Sequence, residues 1–253
     1  MVDVVTIGGL CLDVIFNPLP DFPRPGTQIN ASAMDLRIGG GSAYLAQNLS
    51  ALGVKVRIFA KIGGDMLGRM VLKELEERGI DVTGLIIDKD VITPVSICIP
   101  LLTGDRSFIT YTRAMETLSK REIYDEKLFE CKILDRRSYF ILTGLDGKPT
   151  LEILKEAKRR GILTTLDTCF DPRGLWLKSI KPVLKYVDVL LCNELEARSI
   201  TREKGLDRIS RKLLKLGARI VVIRLGERGC YATDGRESYH IPALKVNVVD
   251  TIG

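Results

Sequence analysis

The residues of this chain that could do chemistry lie in five short stretches, each beside an apolar run. In chain order they are Asp13, the glycines at 39–41, Asp65 in G-G-D-x-x-G, Asn193 and Glu196 in N-x-x-E, and the D-T-I-G at 250–253. Carboxylates bind hydroxyl groups and hydrated cations, and glycine turns before helices bind anions. The set therefore favours a site for a polar ligand that carries hydroxyl or phosphate groups.

The glycine run at 39–41 precedes a segment with helical periodicity. Glycines allow the backbone to approach a ligand closely, and the first N–H groups of a helix have no partner within it. The alternative is a tight entry turn, although one or two glycines would be enough for that. Tyr44 occupies the place of the third glycine in G-x-G-x-x-G, so the pattern disfavours a dinucleotide-binding turn.

Two aspartates have both a functional and a structural interpretation. Asp13 follows the first apolar run, where an open parallel sheet has its ligand crevice, and it could accept hydrogen bonds from a polyol or form part of a turn. Asp65 is a candidate N-cap for a helix that ends at Gly79. Gly68 lies one turn into that helix, where glycine costs about 1 kcal/mol relative to alanine, so capping alone does not explain it.

Asn193 and Glu196 also allow two interpretations. The spacing is that of a capping box, and the same residues after a buried strand could hold a hydrated magnesium ion through Glu196. Gly226 lies in a turn that could contact a base or a phosphate. The chain has one histidine and six scattered cysteines, which argues against a zinc site and a Ser-His-Asp triad. It also contains no Walker loop for a nucleotide.

Short apolar runs that alternate with helical segments must position these residues. Strand-like runs at 2–8, 56–63, 162–167, 187–193 and 218–226 alternate with helical segments at 42–52, 66–78, 150–160 and 206–216. This order predicts a single α/β domain over 1–253 with a mostly parallel central sheet and helices on both faces. Segments 14–37 and 91–113 interrupt this alternation of strands and helices and predict a small β-lid. The run 244–249 predicts a last strand before D-T-I-G.

Composition limits the partners. The chain is 45% hydrophobic and 28% charged with a formal net charge of +6, and the basic residues form no stripe with aromatics, which disfavours nucleic-acid binding. No apolar run reaches the roughly 18 residues of a membrane span, and no secretion signal precedes the first strand. Scattered cysteines fit a reducing compartment, so we expect a cytoplasmic protein.

The five stretches, in this order, resemble the ribokinase (PfkB) family of carbohydrate and nucleoside kinases over essentially the whole chain. AKIGGDMLGRMVLKELEERGID and VVIRLGERGCYATDG, followed by VVDTIG, are similar to that family in detail. The resemblance implies a ribokinase-like fold and an ATP-dependent phosphotransferase that acts on a hydroxyl of a small sugar or related polyol, with ATP and Mg²⁺.

The resemblance also implies roles for the residues that match the family motifs. Substrate contacts fall to Asp13, Gly39, Gly40, Gly41, Asp65 and, from the lid, Arg106; nucleotide contacts to Asn193 and Gly226; the metal to Glu196; and the start of the anion-hole motif to Asp250, Thr251 and Gly253. Some relatives bind a monovalent cation near the position of Asp250. Lids of this kind can pair between subunits, which implies a homodimer.

The sequence departs from the family pattern at several positions. Tyr44 replaces a common asparagine, and in 166–176 the chain keeps Asp167 but has Cys169 and Asp171 where asparagine and arginine are common. The family's D-T-x-G continues as A-G-D, whose aspartate is the general base, and that continuation is not in this chain. We therefore expect a C-terminally incomplete and inactive chain, with a nucleoside kinase or a non-catalytic kinase-like sugar-binding protein as alternatives. A dinucleotide oxidoreductase is disfavoured by the missing glycine pattern.

Overall fold

The computed structural model describes residues 1–103 and 106–246, which form two sheets and eight helices. The strands are Val2–Ile7 (β1), Cys11–Phe16 (β2), Met34–Gly39 (β3), Val56–Gly63 (β4), Asp81–Asp88 (β5), Val95–Pro100 (β6), Arg106–Tyr111 (β7), Cys131–Tyr139 (β8), Leu163–Thr168 (β9), Val189–Asn193 (β10), Ile220–Arg224 (β11), Cys230–Thr233 (β12) and Ser238–Ile241 (β13). The helices are Gly41–Ala51 (α1), Met66–Glu77 (α2), Arg113–Thr117 (α3), Lys120–Ile123 (α4), Lys148–Arg159 (α5), Leu177–Leu184 (α6), Glu194–Thr201 (α7) and Leu206–Lys215 (α8).

The central sheet has nine strands in the order β13-β12-β11-β10-β9-β8-β1-β4-β5. The strands from β11 to β5 run parallel, and β12 and β13 add an antiparallel edge. A parallel sheet is stable when helices cover both of its faces. Alternate residues of β1 enter two separate cores: Val5 and Ile7 pack with residues of α5 to α8, and Val4 packs with residues of α1 and α2. The predicted α/β fold is confirmed.

The order of the strands reverses at β1. The chain places β4 and β5 on one side of β1, and β8 to β11 on the other. Ligands of open α/β sheets bind outside the carboxyl ends of the strands at such a reversal. The loops that follow β1 and β8 to β11 therefore meet at one edge of the sheet.

The second sheet, which we call the lid sheet, consists of β2, β3, β6 and β7 in the order β3-β2-β6-β7. Its strands overlap the two segments predicted as a lid, 14–37 and 91–113. The register aligns Asp13 with Arg37 on β3 and Ser96 on β6, and Ser96 with Thr110 on β7. Because neighbouring residues in register share a face, the face with Asp13 is polar.

The predicted helices agree with the structure to within two residues, whereas the predicted strand at 244–249 is wrong over its described part. Residues 244–246 lie in no strand, and Leu244 is 87% and Val246 68% exposed. Strand β13 pairs with β12 instead and ends before Pro242, which has no N–H to continue the ladder. An apolar run forms a strand only where it finds a partner, and 244–246 have none among the described residues.

None of the helices in residues 1–103 and 106–246 is both long and apolar enough to cross a membrane. All six cysteines carry free thiols.

Candidate active site

The glycine turn at 39–41 brings α1 against the ends of β1 and β2. Gly40 has φ +92°, and a Cβ there would lie 2.5 Å from the carbonyl oxygen of Gly9. A Cβ on Gly39 would lie 2.0 Å from Oδ2 of Asp13. Glycine is therefore required at both positions, because one needs left-handed backbone and the other lies directly beneath the Asp13 carboxylate.

Asp13 is buried, and its carboxylate is held from two sides. The hydroxyl of Tyr44 donates to Oδ2 at 2.5 Å, and the thiol of Cys11 donates to Oδ1 at 3.1 Å. Burial raises the pKa of Tyr44 well above its ordinary value, and the hydrogen bond to Asp13 raises it further. Tyr44 therefore stays protonated and acts as a fixed donor to Asp13. The departure at position 44 places a phenol where the family pattern has an amide.

The G-G-D-x-x-G segment joins helix α2 to the chain that enters the lid sheet. Asp65 caps α2, accepting from the N–H of Gly68 at 2.7 Å, and it also accepts from the N–H and hydroxyl of Thr93 at 2.8 and 2.7 Å. Burial opposes the charged form, but the hydrogen bonds from Thr93 and Gly68 outweigh it and lower the pKa of Asp65. Both oxygens of Asp65 therefore hold protein donors, and substrate binding by Asp65 stays a prediction.

Gly68 is explained by packing. A Cβ at this position would lie 2.1 Å from the carbonyl oxygen of Gly63 and 2.9 Å from the hydroxyl of Thr93. Glycine lowers the helix propensity of α2 at this position, but it permits the close approach of α2 to Gly63 at the end of β4.

Asn193 and Glu196 form the predicted capping box at the start of α7. Oδ1 of Asn193 accepts the N–H of Glu196 at 2.8 Å, and Oε2 of Glu196 accepts the N–H of Asn193 at 3.0 Å. The hydroxyl of Thr168, at the end of β9, donates to the same Oε2 at 2.7 Å. Glu196 is only 4% exposed, and burial raises its pKa.

Three charged residues connect the glycine turn to the capping box. Asp167, near the end of β9, accepts from Arg137 of β8 through Oδ2 at 3.0 Å and from Arg224 of β11 through Oδ1 at 2.5 Å. Arg137 packs beside Gly41, since a Cβ on that glycine would lie 3.7 Å from its side chain. At the other end, Nη2 of Arg224 lies 4.0 Å from Oε2 of Glu196. We call Arg137, Asp167 and Arg224 the charged row.

A buried carboxylate supports the charged row from below. Asp135 accepts from the hydroxyls of Thr6 at 2.9 Å and Thr165 at 2.5 Å, and its Oδ2 lies 3.0 Å from Nε of Arg137. The Nε–H is not directed at that oxygen and has no other acceptor among the described residues, so the contact is ionic only. Thr6 also hydrogen-bonds Ser42 at 3.0 Å. The network thereby fixes the first turn of α1 relative to β1, β8 and β9.

Two further predicted residues, Arg106 and Gly226, belong to neither the charged row nor the capping box. Arg106 begins β7, on the face of the lid sheet that carries Asp13, with its guanidinium carbon 6.0 Å from the ring centre of Phe108. Gly226 has φ +62° and begins a short 3-10 helix, with open space around the position of a Cβ. Asp250, Thr251 and Gly253 lie outside the described residues.

Sequence reasoning missed most of the charged row. Asp167 matches a family motif, whereas Arg137 and Arg224 are not among the predicted site residues. The available signal was a charged residue inside an otherwise apolar strand, as in the runs CKILDRRSYF and ARIVVIRLG. Such residues are almost never buried unless they are paired.

The side chains at this edge suit a hydrated divalent cation better than a cation that protein atoms enclose directly. Within residues 1–103 and 106–246 there is no group of three or more histidine, cysteine or acidic side chains that could enclose a metal. Glu196 offers a carboxylate whose two oxygens accept hydrogen bonds from Asn193 and Thr168. Mg²⁺ commonly keeps several waters and is completed by substrate phosphates, so Glu196 fits contact through water.

Comparison with known proteins agrees with this geometry. Residues 1–253 match the family described as pfkB family carbohydrate kinase. An ATP-dependent 6-phosphofructokinase of Thermoanaerobacterium thermosaccharolyticum is 27% identical over 99% of this chain and 77% of its own length. A 2-dehydro-3-deoxygluconokinase of Bacillus subtilis is 27% identical over 85% of this chain and 70% of its own length.

The fold is also that of a solved ribokinase. The crystal structure of ribokinase from Thermotoga maritima superposes with a TM-score of 0.81 and 25% sequence identity, covering 99% of this chain and 81% of that one. The sheet order, the lid sheet and the site at the strand reversal define a ribokinase-like kinase fold. The chain belongs to the pfkB family of carbohydrate kinases.

Proposed function

We propose that this protein transfers a phosphoryl group from ATP to a hydroxyl of a small sugar or related polyol. The observation that carries the proposal is the charged row, because it joins the glycine turn beside Asp13 to the capping box of Glu196 along one edge of the sheet. An acceptor at one end and a nucleotide at the other would lie next to each other there. The relatives named above are sugar kinases, which supports the same reaction.

On the acceptor side, Asp13 would receive hydrogen bonds from sugar hydroxyls. Its carboxylate lies directly over Gly39, and Tyr44 fixes its orientation. Gly39, Gly40 and Gly41 let the sugar approach the backbone, and Arg106 with Phe108 would cover it from the lid sheet. Asp65 would act mainly by holding the base of the lid.

On the nucleotide side, Asn193 and Glu196 would orient the hydrated cation, and Gly226 would lie along the nucleotide. Bound Mg²⁺ supplies positive charge to the phosphates during transfer. Asp250 and Thr251 would begin the turn that stabilises the transferred group, and a monovalent cation near Asp250 stays a prediction. The free cysteines favour a reducing compartment, and the cytoplasm stays our prediction for the location.

The test is an ADP-release assay with ATP, Mg²⁺ and a panel of neutral sugars, sugar acids, sugar phosphates and nucleosides. The panel is needed because the two relatives bear the names of kinases for different acceptors. Activity on a sugar is the result that the proposed function predicts for a protein in which A-G-D follows the D-T-I-G at 250–253. Turnover only with nucleosides would favour the nucleoside kinase, and sugar binding without ADP release would favour the non-catalytic binding protein.

A substitution at Asp13 tests the acceptor side. A hydrogen bond to a charged group contributes about 1.5–3 kcal/mol, so Asp13→Asn should lower kcat/KM by about 10- to 100-fold. Asp21→Asn is the control, since Asp21 lies exposed in the segment between β2 and β3. Equal activity of the two variants would contradict the role of Asp13.

The lid sheet supports a homodimer as part of the proposal. Its face opposite Asp13 carries apolar residues on all four strands, with one serine at position 107; the apolar residues include Val14, Phe16, Met34, Leu36, Ile97, Ile99, Ile109 and Tyr111. Of these, Met34 is 56% and Ile109 63% exposed. An apolar sheet face is stable when another layer covers it. A second copy would supply an identical apolar face related by a two-fold axis.

Sedimentation of two variants at neighbouring positions tests the dimer. Ile109→Asp places a charge in the apolar face and should yield a monomer, whereas Thr110→Asp points to the polar face and should leave the mass unchanged. A wild-type protein that sediments as a monomer at all concentrations would contradict this part of the proposal.

A further inference from the structure

A cleft of about 400 Å³ lies between helices α6, α7 and α8. These helices pack side by side over the core that contains Val5 and Ile7. Among the described residues, the cleft is lined by none of the residues predicted for the active site and by no member of the charged row. Cavities of this size hold small ligands in many proteins, so the cleft is a candidate for a second site.

The lining of the cleft is strongly basic. It contains no acidic side chain among the described residues, and its four cations are Lys178, Lys181, Arg202 and Lys212. Lys212 has an acidic partner, since its Nζ lies 3.1 Å from Oε1 of Glu203. The other three form no ion pair and no side-chain hydrogen bond with the described residues. Three like charges that share one cleft repel each other, so the cleft favours an anion.

Arg202 occupies a position at which glycine is usual. It ends α7 in the left-handed region, with φ +58° and ψ +24°. Helices that end in this way commonly have glycine there, because a residue with a Cβ costs about 1–2 kcal/mol in this conformation. Arginine is therefore unfavourable for the backbone at this helix end. Such a residue is most often found where its side chain has a function.

The apolar part of the lining comes from the start of α6. It consists of Leu175, Trp176 and Leu177. The ring of Trp176 makes edge contacts with the rings of Phe140 and Phe170, at centre distances of 5.3 and 5.7 Å, which fix its orientation. Helix α6 begins here without a side-chain cap, so the positive end of its dipole also lies at the cleft.

A phosphate group suits this combination better than a carboxylate. A phosphate monoester carries a charge of about −1.5 to −2 at pH 7, whereas a carboxylate carries a single charge. A guanidinium such as that of Arg202 presents paired donors that match two phosphate oxygens. The apolar residues beside the cations would cover the organic part of such a molecule.

We propose that the cleft between α6, α7 and α8 binds a small organic phosphate. Lys178, Lys181 and Arg202 surround the phosphate group, and Trp176 packs against the organic part. The inference goes beyond phosphoryl transfer, because the ligand would lie apart from the residues assigned to acceptor and nucleotide. It holds or fails independently of the proposed function.

Trp176 provides a local reporter, because it is the single tryptophan of the chain. Its fluorescence is followed while the full chain is titrated with phenyl phosphate or inorganic phosphate, at an ionic strength held constant with potassium chloride. Both phosphates should give a saturable change, and phenyl phosphate should bind more tightly because its ring adds apolar contact. A change of equal size with potassium chloride alone would show general screening and would overturn the proposal.

A pair of double variants locates the binding. Lys181→Gln with Arg202→Gln removes two cations of the cleft and should weaken phenyl phosphate binding at least tenfold, as expected for charged hydrogen bonds. Lys185→Gln with Arg198→Gln is the matched control, since it removes the same charge from the end of α6 and from α7 at residues outside the lining. The control should bind phenyl phosphate as the wild type does.

Isothermal titration of the same proteins gives the affinities independently of the fluorescence. Equal affinities of the two double variants would place the phosphate elsewhere, for example in the candidate active site, and would overturn the proposal. So would a wild type that gives neither heat nor a saturable fluorescence change. All four substituted residues are exposed, and thermal melting shows whether the variants are folded. If the cleft double variant is unfolded, Lys178→Gln takes its place, and an affinity equal to that of the wild type would again overturn the proposal.

Discussion

Replacing Gly68 by alanine should destabilise the protein, although the same change in most helices is stabilising. Alanine gains about 1 kcal/mol over glycine in a helix interior. Here the new methyl group would lie 2.1 Å from the carbonyl oxygen of Gly63 and 2.9 Å from the hydroxyl of Thr93. The first of these atoms is backbone in strand β4, so it cannot move aside as a flexible side chain would.

The expected magnitude follows from these two opposing effects. Overpacking of a close-packed site costs about 1–3 kcal/mol and sometimes more, and the clash with Gly63 belongs at the upper end. After the gain in helix propensity is subtracted, the net loss is about 2 kcal/mol. For a chain of this size that corresponds to a melting temperature about 4–8 °C lower.

Gly64 provides a matched control in the same motif. The atoms nearest to a Cβ on Gly64 belong to Lys89 and Ile87. The nearest is Lys89 Cγ at 3.3 Å, which is part of a flexible side chain. Thermal melting should therefore place Gly64→Ala within about 0.5 kcal/mol of the wild type. A Gly68→Ala protein as stable as Gly64→Ala would refute the close approach of α2 to β4.

Three further changes test the site. Tyr44→Phe removes the 2.5 Å donor to Asp13 and should weaken sugar binding about tenfold in titration calorimetry; an unchanged affinity would show that Asp13 needs no orienting partner. The folded-state pKa of Asp65 lies below its ordinary 3.8, so the ionised form stabilises the fold at pH values above 3.8, and this contribution is lost as the pH falls from 3.8 through the lowered pKa. Asp65→Asn should therefore flatten the acid side of a plot of melting temperature against pH, and a curve parallel to wild type would contradict this assignment. Asn193→Ala removes the cap of α7 and two hydrogen bonds between its side chain and Glu196, and should cost about 1–2 kcal/mol in urea unfolding, against no change if the box is not formed.

Local features of the site could be predicted from the sequence because their partners lie within a few residues. The capping box of Asn193 and Glu196 spans three positions, and the cap of α2 by Asp65 spans the same distance. The helical period predicted the ends of α1, α2, α5 and α8 to within two residues. For Asp13, local pattern alone leaves two interpretations, and only the resemblance to a kinase family favours an acceptor-side role, which stays a prediction.

The strand run at 244–249 marks the limit of this reasoning. Its apolar alternation was typical of a strand, but a strand needs a neighbour with free hydrogen-bonding groups. Residues 244–246 pair with no strand among the described residues, although β13 lies at the edge of the central sheet. The apolar alternation of a run cannot by itself predict whether the run finds a partner strand.

The sequence by itself determined the class of fold, the turn at 39–41 and the capping box, because helix period, glycine chemistry and capping act over a few residues. Only the tertiary structure decided that Arg137, Asp167 and Arg224, which come from three different strands, form one charged row. Their contacts depend on strand order and register across 30 and 57 residues of chain. Such distances carry no periodic signal, because the long-range arrangement is set by which strands pair and which faces the helices cover.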